Sequence, residues 1–251
     1  MPEPIGLHNP RIQRLRRLLA RRSARVDEGC FVLEGPHAIE AAVAAGVELL
    51  EVFVEASALS LVPGGAEGTV VLVADGVLAK VGSTVTPQPI MAVVPLPRVA
   101  LATLSSATFV LVAAGVNDPG NLGTMARSAE AAGADALVTT AGSVDPFGPK
   151  CVRASAGAIV QLPVVTDIQL TDVRALGLRL LGTAAVGGVR HDQADLRGPL
   201  ALVLGNEAHG LPPDVQLDGL LTIAHRGRAE SLNVAMAATV LCFEVARQRA
   251  R

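Results

Sequence analysis

Three short stretches of this chain set reactive side chains at spacings that a turn or a helix start can use. The first is Asn117-Asp118-Pro119-Gly120-Asn121-Leu122-Gly123-Thr124-Met125-Ala126-Arg127, with an amide at 121 and a guanidinium at 127 around a glycine. In the second, the apolar run Leu200 to Leu204 ends in Gly205, and Gly205 and Gly210 bracket a tight loop carrying one carboxylate, Glu207. Such a run reads as a strand buried on both faces, and in open α/β sheets ligands sit at the carboxyl ends of strands. The third, Glu230-Ser231-Leu232-Asn233-Val234-Ala235-Met236-Ala237-Ala238, puts a hydroxyl and an amide just ahead of a helical run. An arginine with a pKa of roughly 12.5–13.8 stays charged at neutral pH, so Arg127 suits an anion better than a proton. Taken one at a time, the plain readings are a surface glutamate, an asparagine turn and helix caps.

Taken in order, N-x-G-x-x-x-R, then G-x-E-x-x-G-L, then S-L-N-V-x-x-A resembles the three motifs of the SpoU-type (TrmH-like) RNA ribose 2′-O-methyltransferases, members of the knotted SPOUT superfamily. The resemblance covers roughly Phe109 to the C-terminus. It implies S-adenosylmethionine as cofactor and a ribose 2′-hydroxyl as nucleophile. Asn121, Arg127, Glu207, Ser231 and Asn233 are then the expected catalytic set. Arg127 matches the residue nearest the target hydroxyl; held charged, it would clamp the neighbouring phosphate and stabilise the developing alkoxide, with that phosphate or a water taking the proton. Asn121 is expected to organise its loop and to reach Arg127 or RNA. Glu207 is expected to accept from the substrate or to hold Arg127, and Ser231 or Asn233 to orient the nucleophile. The cofactor is expected against Thr183, Ala184, Ala185, Leu204, Gly205, Asn206, Gly210, Ile223, Ser231 and Leu232, held by backbone and apolar contacts. No G-x-G-x-x-G follows the first strand of this part, which argues against a dinucleotide site.

The elements that must position these residues alternate between strand and helix. Strands are expected at Thr108 to Ala113, Ala136 to Thr140, Leu162 to Val165, Leu178 to Ala185, Leu200 to Leu204 and Leu220 to Ala224. Helices are expected from the end of the Gly115–Gly123 loop to Ala131, from Val152 to Ile159, around Val173, and from Asn233 to Arg249. Such alternation implies a parallel sheet covered on both faces. Connectivity rules argue against a knot by default, so the deep trefoil knot, threaded by the last helix, comes from the resemblance alone.

A smaller α/β domain precedes it. Asn9 to Arg25 reads as one helix with the apolar stripe Ile12, Leu15, Leu18 and Leu19. Strands at Cys30 to Leu33, Val52 to Val54, Val70 to Val73 and Ile90 to Val94 follow, with helices from His37 to Ala45 and, capped by Asp75, to Val81. Phe31-Val32-Leu33-Glu34-Gly35 and Pro87-Gln88-Pro89-Ile90-Met91-Ala92-Val93 look like the substrate-binding domain of the same family. Composition shifts between Pro95 and Ser106, which places a substrate-binding domain at 1–100 and a methyltransferase domain at 107–251.

The formal net charge is −2, yet residues 1–25 hold seven arginines against Glu3 alone. A basic arm on an acidic body points to a polyanion, and Arg11, Arg14, Arg17, Arg21 and Arg22, with Lys150 and Arg153 further on, are the expected RNA contacts. There is no Trp or Tyr and only five Phe, so base stacking on an aromatic platform is not expected. Three dispersed cysteines and five histidines without ligand spacing predict no metal site. No apolar run approaches a bilayer span and no signal-peptide pattern opens the chain, so a cytoplasmic protein with no membrane contact is expected. Ribosomal RNA is the favoured substrate, ahead of tRNA. A reading of another class is a non-catalytic RNA-binding or ribosome-assembly factor. The resemblance also implies a homodimer with the active site at its interface.

Overall fold

The structure is a computed structural model that describes residues 3–82, 87–211, 215–225, 227, 228 and 230–250. The chain forms two compact units: residues 1–97 with 147–161, and residues 98–146 with 162–251.

In the first unit, β1 (Cys30–Glu34), β2 (Glu51–Glu55), β3 (Val70–Val73) and β4 (Ile90–Pro95) form a sheet of order β1-β4-β2-β3. β4 is antiparallel to both neighbours, and β2 and β3 are parallel. One face carries Cys30, Val32, Phe53, Val71 and Met91, and the stripe Ile12, Leu15, Leu18 and Leu19 of α1 (Pro10–Ala20) packs on it with Leu78 of α4 (Val77–Val81). The helix expected over Asn9 to Arg25 is two helices, α1 and α2 (Arg22–Glu28), broken at Arg21 in extended conformation. The break returns Arg25 to the end of α1, where its guanidinium donates to the Leu18 and Leu19 carbonyls. A buried side chain thus serves carbonyls that a helix end leaves without partners. Asp75 does not cap α4: it accepts from the Ser57 amide and hydroxyl, while Glu55 accepts from the Leu78 amide inside that helix.

α3 (Pro36–Ala44), α6 (Pro149–Ala154) and α7 (Ala158–Gln161) complete this unit. The single helix expected over Val152 to Ile159 is split because Ala156 and Gly157 both take positive φ. A side chain at Gly157 would meet Ala41 of α3 at 2.7 Å, so glycine is required there twice over. Phe147 lies 5.0 Å from Phe31 of β1, ring to ring.

In the second unit, β5 (Phe109–Ala113), β6 (Ala136–Thr140), β7 (Val164–Ile168), β8 (Arg179–Thr183), β9 (Val189–Arg190), β10 (Leu200–Leu204) and β11 (Gly219–Thr222) form a parallel sheet of order β7-β6-β5-β10-β8-β11-β9. All its pairings are parallel, as expected of a sheet interleaved with α5 (Pro119–Ala131), α8 (Leu170–Arg174) and α9 (Val234–Arg249). β10 is central and fully buried, in register with β5 from Leu200–Phe109 to Leu204–Ala113. The two-residue β9 is too short to show in the sequence pattern. α5 starts at Pro119, four residues before the predicted end of its loop, because Asp118 caps it.

Candidate active site

β10 delivers the second motif to the carboxyl edge of the sheet. Asn206 and Gly210 exchange backbone hydrogen bonds, each 2.9 Å, closing a loop in which Gly210 has φ 68°. A side chain on Gly205 would overlap the Gly210 carbonyl. Asn206 fixes the loop from within: Oδ1 accepts from the amides of Ala208 and His209, and Nδ2 donates to the Gly115 carbonyl at 2.8 Å. Glu207 is thereby held outward over the start of α5.

The three motifs meet there. Asn121 donates through Nδ2 to Glu207 at 3.0 Å and accepts through Oδ1 from Asn233 Nδ2 at 2.9 Å. Glu207 also accepts from the amides of Asn117 and Asp118, both at 3.4 Å. Partial burial pushes the Glu207 carboxyl up, but the Asn121 side chain and the amides of Glu207 itself, Asn117 and Asp118 outweigh it, leaving the group below its usual range. At neutral pH it is a carboxylate with poor basicity. Asn233 caps α9, accepting from Ala235 and Met236 amides at 2.9 and 3.2 Å.

Two expectations need correcting. Glu207 and Asn121 engage each other, not Arg127. Arg127 lies exposed on α5, outside the lining of the cavity described below, with no hydrogen bond or ion pair among the described residues. Helix capping falls to Asn233 alone; Ser231 makes no such bond and lines the cavity. α5 is locked to α9 beside Arg127 by a 2.7 Å hydrogen bond between Ser128 and Thr239.

A cavity of about 300 Å³ opens at the ends of β8, β10 and β11. Thr183, Ala184, Ala185, Leu204, Gly205, Asn206, Ile223, Ser231 and Leu232 line it, as expected; Gly210 does not, and acts through the loop closure instead. Leu221, His225, Val234, Ala237 and Leu241 line it too. Val234, Ala237 and Leu241 continue the third motif down one face of α9 at helical spacing, a signal present in the sequence. Aliphatic walls with backbone polar groups at strand ends fit a neutral adenine, and among the described residues Glu207 is the one carboxylate in the lining. The residues fit S-adenosylmethionine.

Of the expected RNA contacts, Arg11 and Arg14 pair with Glu51, and Arg14 and Arg17 with Glu28, acids that lie just beyond the basic segment. Arg21 and Arg22 are exposed, as is Arg16, which was not singled out. Lys150 is exposed on α6, whereas Arg153 pairs at 3.1 Å with Glu34, whose side chain is 2% exposed.

A parallel α/β sheet with a cavity at the carboxyl ends of β8, β10 and β11 is the ligand-binding arrangement of an open α/β domain, and comparison with known proteins gives its family. Residues 108–243 match the SpoU rRNA methylase family and residues 9–92 the MRM3-like substrate binding domain. The chain belongs to the SpoU methylase family. It is 34% identical over 228 residues to the Bacillus subtilis 23S rRNA (guanosine(2553)-2′-O)-methyltransferase RlmP, covering 88% of this chain and 90% of that one. It is 37% identical over 142 residues to the 23S rRNA (uridine(2479)-2′-O)-methyltransferase of Streptomyces viridochromogenes, covering 52% and 50%. Among solved structures, the SpoU methyltransferase AviRb of S. viridochromogenes in complex with AdoMet superposes with a TM-score of 0.84 at 30% identity, over 96% of this chain and 99% of that one.

Proposed function

We propose that this protein methylates a ribose 2′-hydroxyl of ribosomal RNA, using S-adenosylmethionine, in the cytoplasm. The observation that carries the reading is the chain of hydrogen bonds Asn233–Asn121–Glu207, which joins all three motifs at the mouth of the cofactor cavity. When bound, S-adenosylmethionine supplies an electrophilic methyl group. The residues of the chain do the rest. Glu207, ionised and spent on Asn121 and two amides, is a positioning residue that fixes the loop ahead of α5. Ser231 has a hydroxyl with no partner among the described residues and orients the 2′-hydroxyl. Arg127, charged, holds the adjacent phosphate and stabilises the oxygen as its proton passes to that phosphate or to water. Residues 1–97 hold the RNA, a role supported by the substrate-binding-domain match and by the exposed Arg16 and Arg21.

The working form in this reading is a homodimer, knotted as in the wider superfamily, with Arg127 serving the partner's cavity. Two observations support the dimer. Met236, Val240 and Phe243 are 62, 38 and 49% exposed at spacings of four and three residues on α9, an apolar stripe left to solvent in one chain. Arg127 is exposed and lies outside the lining of its own cavity, on the helix that packs against α9.

Mapping 2′-O-methylation in total RNA from a deletion strain, with and without the restored gene, tests the function. A single ribosomal site lost and regained is expected. Loss at a tRNA position would move the substrate, and an unchanged map together with no cofactor binding in calorimetry would leave a non-catalytic RNA binder.

A further inference from the structure

The carboxyl edge of the second sheet carries another cavity, of about 440 Å³, on the β5–β6 side of the Gly205–Gly210 loop. Ala114, Gly115, Thr140 and Ala141 line it from the ends of β5 and β6, and the segments at α8 and ahead of β11 add Gln169 to Thr171, Arg174, Val215 and Gln216. We propose that this cavity receives the base of the target nucleotide, an inference that rests on the function proposed above.

Position is the first argument. Gly115 walls this cavity and accepts the Asn206 amide, while Asn206 lines the cofactor cavity, so one residue separates the two. Asn117, whose amide donates to Glu207, is two residues from Gly115, a reach of at most about 7 Å. A nucleotide with its ribose at the motif residues therefore has its base within range of this hollow.

Chemistry is the second. Arg174 is the cation in the lining, and it is spent: it pairs with Asp218 at 3.2 Å and donates to the Gln216 carbonyl at 2.9 Å. That disfavours a phosphate and favours a neutral polar guest. Gln169 is the N-cap residue of α8, its backbone amide donating to Asp172, and its side-chain amide brings both a donor and an acceptor to the lining. The Thr171 hydroxyl and the Gln216 side-chain amide have no hydrogen-bond partner among the described residues. Donors and acceptors beside small side chains in one hollow match the edge of a base splayed out of a single strand, the form in which RNA sequence is read.

The test begins with the full-length protein and a stem-loop transcript carrying its mapped methylation site, prepared with each of the four bases at the target. Thr171→Trp fills the cavity. It should leave S-adenosylmethionine affinity unchanged and lower kcat/KM for the transcript about tenfold or more. Gln216→Ala, which removes a lining side chain without filling space, should narrow the preference between the best and second-best target base by about fivefold or more. Should Thr171→Trp fail to bind cofactor, the Gln216→Ala preference decides. An active wild type with both variants unaltered in rate and base preference would overturn this assignment alone. A wild type that binds cofactor but methylates no RNA would overturn the proposed function and this site with it.

Discussion

Asn233 reaches across from the start of α9 to the side chain of Asn121, 2.9 Å away, and the two residues lie more than a hundred positions apart in the chain. The same Asn121 amide then donates to Glu207. One amide group thus uses both its oxygen and its nitrogen to hold two loops. Asn121→Asp replaces the donor with a second carboxylate facing Glu207, and like charges repel. We expect kcat to fall about 100-fold, the scale of a small misplacement of reacting groups. S-adenosylmethionine affinity, measured by calorimetry, should change by less than about threefold. A variant with normal kcat would remove the bridge from the mechanism.

Arg127 is exposed, so Arg127→Ala should leave the melting temperature where it is and abolish methyl transfer. Arg127→Lys should recover little, because a point charge lacks the planar fork. Mixing Arg127→Ala with an inactive cofactor-loop variant under subunit exchange should return about a quarter of wild-type activity if Arg127 works across the dimer. No recovery with proven heterodimers would place Arg127 in its own chain's site, and a monomer in sedimentation would remove the dimer.

Gly205 and Gly210 face different constraints. Gly205→Ala puts a methyl group into the Gly210 carbonyl, so the loop must open, and cofactor binding in calorimetry should be lost. Gly210→Ala meets nothing within 4 Å and bears only the strain of its φ of 68°, about 1–2 kcal/mol. It should bind cofactor weakly and not be abolished. Equal behaviour of the two variants would contradict the close approach described for Gly205.

Glu244 on α9 is held at a pKa of about 2, chiefly by its hydrogen bond to Arg247, with burial opposing and Gln248 and the charges of Arg247 and His191 assisting. A carboxylate with a depressed value stabilises the fold above its unfolded pKa and loses that contribution as pH falls through the folded value. Glu244→Gln should therefore cost about 1 kcal/mol in urea unfolding at pH 7. The gap should close between about pH 4.5 and pH 2. A gap that persists at the acid end would assign the effect to packing.

The strands were legible because each buried run is short, apolar and bounded by turn residues; β10 is the clearest, from Leu200 to Leu204 as expected. The site was legible as three motifs, and the structure brings Asn121, Glu207 and Asn233 into contact. What the sequence hid depends on partners distant along the chain. Nothing near Arg25 announces that it will serve the carbonyls of Leu18 and Leu19 and so break a helix at Arg21. The charge of the first 25 residues looked unopposed because Glu28 and Glu51 lie beyond them. Asp75 had the right type to cap α4, but Glu55, from a neighbouring strand, reached Leu78 instead. Arg153 is an expected RNA contact, yet its pairing with Glu34 follows from packing that no local pattern encodes.

The membership of residues 147–161 in the first unit has a consequence for synthesis. Domains ordinarily fold in turn as the ribosome releases them, the leading one first. Here the leading unit lacks α6, α7 and Phe147 until some sixty further residues have been made, roughly 3–13 s at ordinary elongation rates. During that interval Phe31 and Ala41 wait without the groups that cover them in the finished protein. The two halves must therefore mature together, and a nascent chain halted near Pro97 carries an uncovered apolar face that a chaperone can hold.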